Sequence, residues 1–204
     1  MKILILLGFL ISSLFSQAGV ADLKVGDVLL QPLKCWACSL IEAEEETIYS
    51  HVGVVVATAP EVMVAEAFSK VRKISLIEFD QKTEPGQKLM VLRFRRDDLV
   101  EEFQKSQTEL MNLFSRDFEG LLYDHDFRWN NFDDKGNEKL YCSELVSKLF
   151  QAFVGIELPI KRMHFEQNRE SWMTYFRGNI PDQMWGNSPA DIHRSDLFYE
   201  VGEL

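Results

Sequence analysis

The chain holds three cysteines, and two of them form a close pair in Cys35-Trp36-Ala37-Cys38, which leaves Cys142 over. An odd cysteine in an oxidising compartment is either unpaired by chance or kept free for reactivity. Cys142 stands where a polar loop turns into a helical pattern, and the amide groups and dipole of a first helical turn stabilise a thiolate. A thiolate alone does not make a hydrolase: the leaving group must be protonated, and a histidine within hydrogen-bond reach supplies both base and acid. Of the four histidines, His51 opens a β-branched run, whereas His125, His164 and His193 lie in polar, turn-rich segments. A buried strand histidine is often simply satisfied by hydrogen bonds, so the residue pattern alone does not choose. A third polar group must fix the imidazole tautomer. Glu66, a carboxylate in the apolar setting Val64-Ala65-Glu66-Ala67, is one candidate, although a glutamate there could also face solvent. His125, shortly before the cysteine, is its rival, and Glu144, in the first helical turn, reads as a cap or structural partner.

These residues need rigid elements beneath them. Lys24 to Gln31 puts a Gly-Asp turn before a short apolar strand ended by Pro32, and Trp36 to Glu46 suits a short amphipathic helix. His51–Ala57, Val62–Phe68, Val71–Phe79 and Lys88–Arg95 read as four strands separated by turn residues, spaced as an antiparallel meander. Asp97-Asp98 opens one helix whose apolar stripe runs from Leu99 to about Arg116. A polar, aromatic loop from Glu119 to Lys139 leads into the cysteine helix, with Leu145, Leu149, Phe150 and Phe153 at helical spacing and Gly155 as its stop. A last strand is expected near Leu197 to Val201. Strands and helices in separate blocks make the fold class α+β.

Lys2, the apolar run Ile3–Phe15 and the small residues ending in Ser16-Gln17-Ala18 predict a secretory signal peptide over residues 1–18, with cleavage after Ala21 as the second choice. No cysteine follows either site, which speaks against a lipid anchor. Residues 19–204 are then expected to form a single domain, periplasmic or secreted. The net charge of −10, with no basic stripe, argues against nucleic acid as a partner. No cofactor is implied and no metal site is expected: Cys35 and Cys38 have no second pair. The turn Asp133-Asp134-Lys135-Gly136-Asn137 has Lys135 and Cys142 where a calcium loop needs oxygen ligands. Oligomeric state is not legible.

Three segments in order, Gly26-Asp27-Val28 with its strand, Tyr49-Ser50-His51-Val52-Gly53-Val54 and Tyr141-Cys142-Ser143-Glu144-Leu145-Val146, resemble the YiiX/YebB-like branch of the NlpC-type cysteine hydrolases. The resemblance runs from about Val25 to about Phe198 and includes Tyr123-Asp124 with Phe127, and Ser188-Pro189-Ala190-Asp191. That branch is a circularly permuted papain-like fold in which the histidine strand precedes the cysteine helix, as here. The resemblance implies an antiparallel sheet or small barrel packed against the nucleophile helix, Cys142 as nucleophile, His51 as base and Glu66 as orienter; Tyr141 and His125, by their places before the cysteine, are accessory candidates. It implies amide cleavage through an acyl-enzyme, with cell-wall peptides as a natural substrate for an exported member. Lipid acyl hydrolysis or acyl transfer is the alternative, since permuted relatives include lecithin retinol acyltransferase-like enzymes. From the residues themselves, Cys35 and Cys38 are read as a disulfide or free thiols at the site's rim, with a thiol oxidoreductase as a further alternative. A binding module on an inactive hydrolase scaffold is the remaining one.

Overall fold

The computed structural model describes Gly19 and residues 22–204; the expected signal peptide and both cleavage sites lie outside the described residues. In chain order the elements begin with β1 (Val28–Gln31), α1 (Trp36–Glu45), β2 (His51–Ala57), β3 (Met63–Phe68), β4 (Lys70–Ser75) and a short α2 (Leu76–Asp80). Strand β5 (Met90–Phe94) and helices α3 (Asp97–Lys105) and α4 (Gln107–Asp117) follow. A loop bearing the two-residue strands β6 (Asn131–Phe132) and β7 (Glu138–Lys139) leads into α5 (Cys142–Val154). After it come β8 (Lys161–Arg162), α6 (Arg169–Tyr175), β9 (Trp185–Gly186), α7 (Pro189–His193) and β10 (Phe198–Glu203).

All seven residues of β2 are buried, as a β-branched run requires when both faces of its sheet are covered. The sheet is six-stranded and antiparallel, in the order β10-β5-β1-β2-β3-β4. The pleat sends alternate residues to opposite faces. On one face, Val28, Leu30, Val52, Val54 and Ala65 meet Phe103 of α3, Leu110 and Phe114 of α4, and Leu145, Leu149 and Phe150 of α5. On the other, Leu29, Val55, Val64 and Val91 meet Leu76 and Phe79 of α2. A third apolar cluster, with Leu40 of α1, Phe127, Tyr141, Phe165, and Trp172 of α6, builds up beside the start of α5.

Three expectations are corrected. Val71–Phe79 is not one strand: it stops at Ser75, whose Oγ accepts the Glu78 backbone N–H (3.2 Å) and caps α2. That helix turns the chain away, so Lys88–Arg95 supplies a strand, β5, that pairs with β1 rather than continuing the meander beside β4. Only β1 to β4 form the meander. The long helix is likewise two, because Ser106 leaves helical geometry (φ −110°, ψ 30°) between α3 and α4. The break lets Phe103 and Phe114 both reach the sheet. The cysteine helix ends as expected at Gly155, whose left-handed φ of 69° suits a residue without a Cβ.

Gly53, in the middle of β2, marks a close approach. A Cβ there would stand 2.6 Å from Val64 Cγ1 and 2.9 Å from Phe79 Cε2. Gly53→Ala is therefore expected to destabilise the fold by about 1–3 kcal/mol, the usual penalty of overpacking, read as a lower urea midpoint with an unchanged slope.

Candidate active site

The site grows from two element ends. Cys142 is the first residue of α5; Tyr141 before it is extended (φ −88°, ψ 171°) and makes no side-chain cap, so no side chain of the N-cap residue occupies the first-turn amides. The thiol is free of any disulfide and buried. His51 is the first residue of β2, opposite Gln31 of β1, and the residue is 3% exposed. Glu66 stands across the ladder from Gly53, two residues along from His51 and on the same face. Because Gly53 has no side chain, the glutamate can lean diagonally to the imidazole, and His51 Nε2 lies 2.8 Å from Glu66 Oε2. With Nε2 engaged, Nδ1 is the ring nitrogen left free, and the Cys142 thiol stands close enough to the imidazole to raise its proton affinity. Phe79 stacks on the imidazole (centroids 5.6 Å apart) and Phe68 meets it edge-on (5.9 Å), which excludes water from the pair.

The carboxylate is held from behind. Glu66 Oε1 accepts from Arg72 Nε (2.9 Å) and Nη2 (2.7 Å) and from Lys82 Nζ (3.3 Å), while Glu66 itself is fully buried. Burial alone would push Glu66 up, but the His51 hydrogen bond and charge, with Lys82 and Arg72 behind them, hold it down at about 2. Burial alone would push the His51 ring down; the hydrogen bonds and charges of Cys142 and Glu66 outweigh it and raise the ring to about 9. The imidazole is thus poised to hold a proton at neutral pH.

The thiol opens onto a cleft whose wall includes Tyr123, Phe127, Met163, Phe165 and Trp172. Ile41, Glu44 and Glu45 of α1 form part of its rim. The helix begins at the Cys35–Cys38 disulfide, whose Cys35 Sγ accepts the Cys38 backbone N–H (3.0 Å). Tyr141 is in the cleft wall, its hydroxyl accepting the Asn187 backbone N–H (3.2 Å).

His125 is not brought to the imidazole. It is exposed, its ring lies against Tyr123 (4.8 Å), and the place it would need beside His51 is occupied by Glu66. Glu144 does not cap its own helix. It is buried, and its Oε1 accepts the Asn130 backbone N–H (2.9 Å), tying the 119–139 loop to α5. Burial pushes it up to about 8 despite that N–H and Lys148. His164 lines the cleft, and His193 bonds Glu200 (2.7 Å).

Sequence reasoning missed Arg72, Lys82 and Phe79. Arg72 had a signal: the tight turn at Ser69 sets the register that pairs Glu66 with Arg72 across β3 and β4. Phe79 was hidden because the apolar run through it masks the helix start at Ser75, and nothing local to Lys82 points to Glu66.

A histidine strand that precedes the cysteine helix, with that helix packed on an antiparallel sheet, is the arrangement of a circularly permuted papain-like fold. The chain belongs to the C92 family of permuted papain-like amidases, the YaeF/YiiX family, whose model matches residues 22–200. The family is described as one of permuted papain-like amidase enzymes. The uncharacterized protein YiiX of Escherichia coli (strain K12) is 29% identical over 136 residues, 66% of this chain and 61% of that protein; the match thus spans less than two thirds of the relative's length. The fold is also similar to the crystal structure of metalloprotein yiiX from Escherichia coli O157:H7, with a TM-score of 0.74 and 22% identity over 89% of this chain and 97% of that one. Among the described residues of this chain, no group of three or more His, Cys, Asp or Glu side chains is placed to hold a metal ion.

The His51 proton gives two measurable outcomes. In NMR titration its midpoint is expected near pH 9, and both Cys142→Ala and Glu66→Gln should lower it, since each removes a group that raises it. Because the folded value lies above the 6.5 of a free imidazole, stability from this pair is complete below about pH 6.5 and lost as pH rises through about 9. Thermal melts across that window check it; a melting temperature unchanged by Cys142→Ala in its pH dependence would contradict it.

Proposed function

We propose that the chain is a cysteine amidase in which Cys142 is the nucleophile, His51 the general base and acid, and Glu66 the residue that orients the imidazole. The observation that carries this reading is the bond between His51 Nε2 and Glu66 Oε2 at 2.8 Å, with the Cys142 thiol beside the same ring. His51 takes the thiol proton, and Sγ attacks the amide carbon to form a tetrahedral intermediate. The backbone N–H of Cys142, at the open end of α5, faces the developing oxyanion. His51 returns its proton to the leaving nitrogen as the C–N bond breaks, leaving a thioester and a free amine. Water, deprotonated by His51, then attacks the thioester, releasing a carboxylic acid and restoring the thiol.

The apolar N-terminal run and the Cys35–Cys38 disulfide favour an exported enzyme, for which cell-wall peptides are the natural amide substrates. The aromatic lining of the cleft favours, as a second reading, an apolar acyl group such as a lipid chain. Muropeptides and phospholipids offered side by side to the purified protein separate the two. Release of fatty acid with no change in muropeptides would sink the cell-wall reading.

Three variants test the roles, and a fourth tests the redox alternative. Cys142→Ala should abolish turnover, and His51→Ala should reduce kcat/KM roughly 10²–10⁴-fold. Glu66→Gln keeps a polar group beside the ring but removes the charge, and is expected to lose activity between wild type and His51→Ala. Cys35→Ser should leave amide cleavage dependent on Cys142; activity that follows Cys35 instead would favour the thiol oxidoreductase.

A further inference from the structure

Cys142 is 5% exposed and His51 3%, too little for the amide of a peptide to be seated against both while the cleft stays as it is. One stretch of the cleft wall is built to move. Between β8 and β9 the chain makes an excursion that carries α6 and brings Met163, His164, Phe165 and Trp172 to the cleft. Its two ends are paired with each other, Lys161 with Gly186 and Arg162 with Trp185, in a ladder that no other strand joins. This stem is the fixed end: Lys161 Nζ pairs with Glu45 (2.8 Å) and Asp191 (2.9 Å), and the Trp129 N–H donates to the Trp185 carbonyl (3.4 Å).

Beyond the stem, the excursion is held mostly by itself. Phe165 lies against Trp172 and Phe176 (both 5.0 Å), and Trp172 stacks on Phe176 (5.5 Å). Met163 and Met184 are joined through the backbone (2.9 Å), and Arg169 pairs with Asp182. Among the described residues, every hydrogen bond and ion pair between residues 163–184 and the body of the protein outside the stem goes to one side chain, Glu44 of α1. Its Oε1 accepts the Glu166 N–H (3.0 Å), and its Oε2 accepts the Gln167 N–H (2.8 Å) and Trp172 Nε1–H (3.2 Å). The remaining contacts, with Leu40, Phe127 and Tyr141, are apolar and non-directional. Helix α1 is itself anchored, by the disulfide at its start and by Glu42, whose Oε1 accepts from Ser50 Oγ (2.8 Å).

Taking Cys142 as the nucleophile, as above, we propose that residues 163–184 form a flap that closes the cleft at Cys142, hinged at the β8–β9 stem and latched by Glu44, and that substrate enters when the latch parts. The flap keeps its own aromatic core as it swings, so opening separates it from α1 and Phe127 without unfolding it. Glu44 is a positioning residue: it touches no reacting atom and sets how often the thiol can be reached. Three N–H donors on two oxygens suit a carboxylate. A glutamine there has one acceptor oxygen, and its NH₂ would face a donor on the other side.

Cys142 is the reporter, being the one cysteine of three outside the disulfide. The purified full chain, without reductant, is labelled with fluorescein maleimide, a bulky thiol reagent. Glu44→Gln should speed labelling roughly 10- to 100-fold, because charge-assisted hydrogen bonds that hold the flap are lost. That gain must exceed any rise in the unfolded fraction read from urea transitions of the same two proteins. In the wild type, hydrogen exchange should show the amides of 163–184 opening as one unit, faster than those of β2 and α5. This second measurement decides the matter where Glu44→Gln does not fold. Labelling that is unchanged or slower in Glu44→Gln, a gain no larger than the unfolded fraction allows, or flap amides that exchange only together with β2 and α5 overturns the proposal. Neither measurement uses turnover, so a protein that gives both expected results and cleaves no amide sinks the amidase reading and leaves the flap standing.

Discussion

The hydrogen bond between His51 and Glu66 inside the protein is the interaction around which the site is arranged. A carboxylate with no exposed surface is costly unless its charge is matched and its lone pairs are occupied. Here one oxygen faces the imidazole and the other takes Arg72 and Lys82, so the pair is neutralised from both ends. The arrangement demands a hairpin in exact register to put Arg72 opposite Glu66, and a bare backbone at Gly53 so that the glutamate can cross to the histidine. It also demands α2, since Phe79 covers the ring and Lys82 lies just beyond that helix.

The second half of the site is held differently. Cys142 is placed by a helix whose buried face, Leu145, Val146, Leu149 and Phe150, is packed into the larger of the two sheet-facing cores. Its first residue is therefore as rigid as the core. The cleft beside it is built from α1, α6 and the segments flanking β8 and β9, layered onto the third cluster rather than onto the sheet. The proposed chemistry thus rests on the rigid sheet and helix, while the surface a substrate would meet belongs to loops and short elements whose sequence can change without disturbing Cys142 and His51.

Much of this frame was legible in the residues. The β-branched run after His51, the helical spacing behind Cys142 and the stop at Gly155 each follow from local rules that long-range packing did not override. Glu66 stood out as a carboxylate among apolar neighbours, although its choice over His125 came from family likeness. Ser75-Leu76-Ile77-Glu78 carried a helix-start signal that the apolar run around it concealed. The pairing of β5 with β1 and the break at Ser106 were not legible, since both depend on which surfaces the chain finds after α2 turns it.

The sequence by itself determined which residue types could do chemistry and the elements that bear them, because periodicity, capping and an unpaired thiol are local properties. Only the tertiary structure decided that the imidazole meets one glutamate at hydrogen-bond distance beside the thiol, and that two cations stand behind that glutamate. Those facts depend on strand register and on segments far apart in the chain packing together, and a hydrogen bond exists only when both partners arrive within a few tenths of an ångström.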